Sequence, residues 1–168
     1  MNSTLTGSFL SRVLLYLCVG VITYYGASLI QTLFHRFFGH SRRIGKLYEV
    51  YVGGHHAQYA PQLPSDRWIR SERHITWYYA IPFTPMVLMV FWLLPGSLFV
   101  VHMLSLAFTI WWHVFVHRQY HVRGVWPERF ERFRNKRRLH FVHHMRPRRN
   151  YAIVEYVWDR SFATFDAA

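Results

Sequence analysis

Residues 75–116 read ITWYYAIPFTPMVLMVFWLLPGSLFVVHMLSLAFTIWWHVFV, and no Asp, Glu, Lys or Arg interrupts them. Pro95-Gly96 divides the run into two stretches of 20 residues, 75–94 and 97–116. At a rise of about 1.5 Å per residue each would span the roughly 30 Å of a hydrocarbon core as a helix. Two crossings joined by a tight Pro-Gly turn form a hairpin. Pro82 and Pro85 would kink its first arm, which a membrane helix tolerates when neighbours satisfy the freed carbonyls.

A third stretch of the same length, residues 14–33, lies upstream and is equally free of charge. It is longer than a secretory signal core and no clear small-residue cleavage site follows it, so it reads as a retained helix. Buried helices of a soluble protein are the rival reading for the other two, and their length and near continuity oppose it. With 168 residues the chain suits one unit, a single domain over 1–168. The expected fold class is all-α: an integral membrane protein of about three transmembrane helices with a histidine-rich helical cap.

Hydrophobic residues make up 52% of the chain, yet its formal net charge is +12, so the two kinds of residue must be segregated. Seven of the 20 Lys and Arg lie from Arg36 to Arg73, twelve from Arg118 to Arg160, and none at the Pro95-Gly96 turn. The positive-inside rule puts segments 35–74 and 117–164 in the cytoplasm and the turn outside. Basic runs such as Arg132 to Arg138 beside membrane helices sit over anionic lipid head groups, and nucleic acid is not an expected partner. Cys18 is the only cysteine, which excludes internal disulfides, thiolate metal sites and a cysteine nucleophile in the cytoplasmic part.

Twelve histidines stand against eight carboxylates, and nine of them fall in four clusters within the basic segments. These are His35 and His40; His55 and His56; His117 and His121; and His140, His143 and His144. Residues three and four apart share a helical face, so His140, His143 and His144 are expected to converge on one ion, and His117 with His121 repeats the geometry. His113 extends that stripe into the membrane. His35 and His40, five apart, do not share a face, but Gly39 would let the helix end and turn His40 back. Nine neutral imidazoles can serve two metal ions at four or five ligands each. His102 lies toward the outer end of its crossing, where packing or an interhelical hydrogen bond is expected.

With these clusters in place the sequence resembles the fatty acid hydroxylase and sterol desaturase superfamily of membrane histidine-box enzymes. His35 and His40 fit its first box, His55 and His56 the paired end of its second, His117 and His121 its third, and His140, His143 and His144 its last. Asn150-Tyr151 and Trp158-Asp159-Arg160-Ser161-Phe162-Ala163-Thr164 resemble the family's NYG and WDRLFGT ending. The resemblance implies nine histidine ligands to two iron ions, dioxygen as co-substrate, and hydroxylation of a lipid C–H bond, with desaturation a close variant. It further implies a lipid substrate taken from the bilayer. Electrons would come from a separate donor such as a ferredoxin or a cytochrome b5-like protein.

A carotenoid hydroxylase is the nearest alternative enzyme, and a metal-binding membrane protein without chemistry the nearest alternative outside enzymes. Two departures from the family pattern stand out. The leading histidine of the second box would fall at 51 or 52, where the chain has Tyr51 and Val52, and His74 and His113 are the candidates to replace it. Ala152 and Ala163 stand where the family often has glycine. Asn150, Glu155 and Asp159 are placed around the metal ligands; Glu155 and Asp159 would accept the second N–H of bound imidazoles, with salt bridges to nearby arginines as the competing role.

Overall fold

The computed structural model describes residues 9–59, 64–66 and 81–167. Among these the regular structure is all helical, with one isolated bridge between Ser65 and Val122 and no strand. Helix α1 runs Phe9–Phe34, α2 Thr84–Leu93, α3 Gly96–His121, α4 Glu131–Met145 and α5 Val157–Ser161.

Two helices, Phe9–Gly39 and Gly96–His121, are long and apolar enough to cross a membrane. Their outward faces carry Leu10, Leu14, Leu17, Val21 and Ile22 on α1 and Val100, Leu104, Phe108 and Trp111 on α3, all exposed. Their buried faces mix polar and apolar residues: Thr23, Ser28, Gln31 and Thr32 with Ala27 on α1, and His102, Thr109 and His113 with Leu98 and Leu106 on α3. Exposed faces more apolar than the buried ones reverse the usual pattern of a soluble helix. Thr23 Oγ1 and His102 Nδ1 meet at 2.8 Å, the interhelical hydrogen bond expected for His102.

The second expected crossing is shorter where it is described. A 3-10 turn, Ile81–Phe83, leads into α2, and together these cover 13 residues, about 20 Å. Residues 75–80 lie outside the described part. The prolines do not kink a helix interior: Pro85 occupies the first turn of α2, where its missing N–H costs nothing, and Pro82 lies in the 3-10 turn before it. The short link of Leu94 and Pro95 then turns the chain back into α3.

Helix α3 continues one turn past residue 116, carrying His117 and His121 out of the apolar stretch. Arg137 of α4 docks there. Its guanidinium donates to the carbonyls of Gln119 (2.8 Å) and Val122 (2.7 Å) and pairs with Glu128 at 2.7 Å. Carbonyls left over at a helix end are thereby satisfied, and α4 is held against the end of α3. Behind this joint Val116 and Tyr120 pack with Ile153 and Val154.

Candidate metal centre

The first box is built by an unusual helix. After Phe34, α1 widens into a π-helical turn, His35–Gly39, in which hydrogen bonds span five residues. His35 and His40, five apart, therefore come into register, and their Nε2 atoms stand 3.1 Å apart. The helix does end at Gly39, as expected, with His40 just beyond it; the widened turn before Gly39 is what sequence reasoning did not find. What Gly39 supplies is room: a Cβ there would sit 3.3 Å from the His35 ring and 3.5 Å from Tyr51. The second box lies in another π-helical stretch, Glu49–His56, and both of its histidines are buried.

The imidazoles gather into two groups of four, His35, His40, His56 and His143, and His55, His117, His121 and His140. Within each group one nitrogen per residue lies within 4.8 Å of all the others, a set that could hold a metal ion. The expectation that His140, His143 and His144 converge on one ion is corrected. His143 joins the first group and His140 the second, because residues three apart diverge enough in angle to face different neighbours. His55 and His56 divide in the same way. His144 stands between the groups, stacked on the His56 ring at 4.2 Å and with its Nε2 3.2 Å from that of His140.

The close contacts are between Nε2 atoms. His40 Nε2 lies 3.1 Å from the Nε2 of both His35 and His143. His121 Nε2 lies 3.3 Å from that of His117 and 2.9 Å from that of His140. A neutral imidazole carries one N–H, and those of His35 and His143 are engaged elsewhere: Nδ1 of His35 donates to the Tyr151 carbonyl at 2.5 Å, and Nδ1 of His143 to the Arg149 carbonyl at 2.7 Å. Both therefore aim an Nε2 lone pair at the group's centre. With metal–nitrogen bonds of about 2.1 Å, neighbouring ligands around one ion stand roughly 3.0 to 3.4 Å apart, close to the 2.9–3.3 Å of these four pairs, while the other pairs in each group lie within 4.8 Å.

The electrostatics agree. Burial, reinforced by neighbouring His143, lowers the His40 imidazole to about 3, and burial lowers His143 to about 4. Burial followed by crowding among the imidazoles holds His55, His56, His140 and His144 well below the ordinary histidine range. At neutral pH these rings are uncharged, as metal ligands must be. The donor set thus fits one or more imidazole-binding metal ions, iron among them.

Tyrosines wall the cage. Tyr51, buried, has its ring 4.8 to 5.2 Å from those of His35, His40, His55 and His56, so position 51 faces the cage with a phenol where the family pattern supplies an imidazole. Val52 is half-buried. Of the candidates to replace the missing ligand, His74 lies outside the described residues, and His113 packs edge-on against Tyr24 at 5.9 Å and belongs to neither group. Tyr59 stacks on His121 at 4.0 Å. Sequence spacing gave no signal for these tyrosines.

The expected carboxylate partners act differently. Glu155 accepts from the Tyr24 hydroxyl at 2.7 Å and lies 3.6 Å from the Lys136 ammonium. Asp159, fully buried, accepts from the backbone N–H of Tyr151 (2.8 Å) and Ala152 (2.9 Å) and from the Thr164 hydroxyl (2.7 Å). It steadies the segment whose carbonyl holds His35 rather than touching an imidazole. Asn150 also acts through the chain: its amide donates to the carbonyls of Leu139 and Asp166, and its own oxygen accepts from the Asp166 N–H.

Comparison with known families decides what this arrangement belongs to, since the sequence profile described as fatty acid hydroxylase matches residues 15–164. The chain belongs to the fatty acid hydroxylase family. That match runs from within α1 through both histidine groups to the α5 ending of this fatty acid hydroxylase family member. No curated protein and no solved structure matches the chain.

Proposed function

We propose that this chain is a lipid hydroxylase that holds two iron ions in its paired histidine groups and uses dioxygen to oxidise an unactivated C–H bond. The observation that carries this reading is the convergence of eight imidazoles into two groups of metal-ligand spacing, in a chain of the fatty acid hydroxylase family. Bound iron would supply the redox chemistry that activates dioxygen.

The protein's own residues do the rest. His35, His40, His56 and His143 hold one ion and His55, His117, His121 and His140 the other, with His144 placed to complete the second set. The Arg149 and Tyr151 carbonyls fix two of these rings in the tautomer that leaves Nε2 free. Tyr51, Tyr59 and Tyr120 exclude water around the imidazoles, all three being buried.

A lipid substrate is supported by a cavity of about 470 Å³ beside the cage, walled chiefly by apolar residues such as Trp112, Phe115 and Phe133, with Arg132, Lys136 and Glu155 also on its lining. That volume lies within the range of roughly 300–1,000 Å³ typical of small-molecule sites. Tyr120 separates it from the cage, its ring 5.4 Å from that of His140. The scaffold is read as three crossings, with the cage on the cytoplasmic side, where the basic residues gather. Electrons come from a separate ferredoxin or cytochrome b5-like protein.

The test is metal analysis joined to product analysis. Protein purified anaerobically should carry about two irons per chain. With a reductase system and a whole-lipid extract it should yield a lipid heavier by one oxygen. Loss of two hydrogens would make it a desaturase, and an iron-loaded protein that alters no lipid would overturn the proposal. A hydroxylated carotenoid would assign it to that class instead.

A further inference from the structure

The two histidine groups are not equivalent, and the difference originates in the loop after α4. Two carbonyls of this loop, those of Arg149 and Tyr151, accept the Nδ1 protons of His143 and His35, which both belong to the first group. Between them stands Asn150 with φ 51°, in the left-handed region that few residues other than glycine adopt and that asparagine tolerates best. The Asn150 side chain locks the kink in place. Its amide reaches the Leu139 carbonyl at 3.1 Å, tying the loop to the α4 turn that carries His140 and His143, and reaches the Asp166 carbonyl at 2.7 Å. Its oxygen accepts from the Asp166 N–H at 2.9 Å, and its own N–H donates to the Thr164 carbonyl at 3.0 Å. The residue is fully buried.

The second group has a different setting. All four of its histidines are buried, whereas His40 of the first group is half-buried and gives that group a face toward solvent. His140 Nδ1 is buried without a hydrogen-bond partner, so no carbonyl selects the tautomer that frees its Nε2. The ring nitrogens of His56 in the first group are likewise without a hydrogen-bond partner, so the contrast rests on His35 and His143 and the two carbonyls that hold them. A ligand whose proton is already placed, and whose ring is already oriented, loses less freedom on binding an ion.

We propose that Asn150 is a positioning residue that preorganises the first group through the two flanking carbonyls. The metal centre therefore loads in order: the site of His35, His40, His56 and His143 binds its ion first and more tightly, and the site of His55, His117, His121 and His140 fills second. This rests on the reading of the two groups as metal sites.

Cobalt(II), titrated into metal-free full-length protein in mild detergent and followed by its visible absorption and by calorimetry, tests the order without any turnover. Two steps are expected, the first at least tenfold tighter. His40→Ala should remove the tight step and leave the weaker one, and His117→Ala should do the reverse. Asn150→Ala should weaken the tight step by roughly 10–100-fold and the second step much less, the latter only through the α4 turn that also carries His140. Asn150→Gly, which keeps the left-handed backbone, should recover part of that loss; the pair separates the kink from the side-chain bonds. Two steps of equal affinity in the unaltered protein would overturn the proposal, as would loss of the tight step in His117→Ala or equal weakening of both steps by Asn150→Ala. A folded protein that binds no cobalt would overturn the metal reading as well, and is thereby told apart from a failure of the order alone.

Discussion

Stripping the metal and lowering the pH places the cage under a load that can be worked out from the burial of its imidazoles. In the unfolded chain a histidine titrates near 6.5, while His143 is lowered to about 4 and His40 to about 3. Between about pH 6.5 and pH 4 the unfolded state takes up protons at these positions that the folded state refuses. The unfolded chain binds more protons, so folding stability falls as pH falls across that window. From pH 7 to pH 5 each of the two rings costs about 2 kcal/mol. Together they amount to about 4 kcal/mol, roughly 10 °C in melting temperature for a chain of this size. His55, His56, His140 and His144 are depressed for the same reason and act in the same direction. Helical circular dichroism of the chelator-treated protein in mild detergent, melted at half-unit steps of pH, measures the effect. Restored metal should raise the whole curve by mass action. A melting temperature that stays level from pH 7 to pH 5 in the stripped protein would refute the assignment of buried, neutral imidazoles.

Four further outcomes are expected. His143→Ala should lose bound metal and turnover, whereas His102→Ala, whose partner is Thr23 in the α1–α3 interface, should keep its metal content; elemental analysis separates them. Ala163 adopts φ 55°, so Ala163→Gly should relieve a left-handed alanine and stabilise the protein by about 1 kcal/mol, read as a rise in melting temperature. Asp159→Ala leaves two buried backbone N–H groups without an acceptor and should cost about 2–5 kcal/mol; an unchanged melt would contradict the role given to its carboxylate. A topology reporter inserted at Gly96 should map outside, opposite to one placed at Arg148.

Much of this architecture was legible in the sequence because it is carried by periodicity and exclusion. Uncharged runs marked α1 and α3, and the spacing of His117 and His121 on one face survived intact in the helix that bears them. Other features depend on geometry that spacing does not encode. A separation of five from His35 to His40 mismatches an α-helix and fits a π-turn, where Gly39 leaves room beside His35 and Tyr51. The division of His140 from His143 depends on where α4 lies relative to the other boxes, which Arg137 fixes through backbone carbonyls a long way along the chain. Glu155 and Asp159 carry charges suited to imidazole, but a tyrosine hydroxyl, an ammonium and two amide groups lie closer to them. The acceptors that hold His35 and His143 are main-chain atoms, which leave no mark in residue identity beyond the asparagine between them.

Neighbouring histidines that divide between the two groups give this centre an unusual kind of bookkeeping. His55 lies in one group and His56 in the other, so inserting a single residue just before them would carry His55 to the place of His56 and leave a residue other than histidine at the place of His55, costing the second group a donor. Deleting Gly54 would carry His56 to the place of His55 and bring Ala57 to the place of His56, costing the first group a donor instead. The spacing of the boxes is in this sense a shared reading frame, in which the direction of a slip decides which group loses.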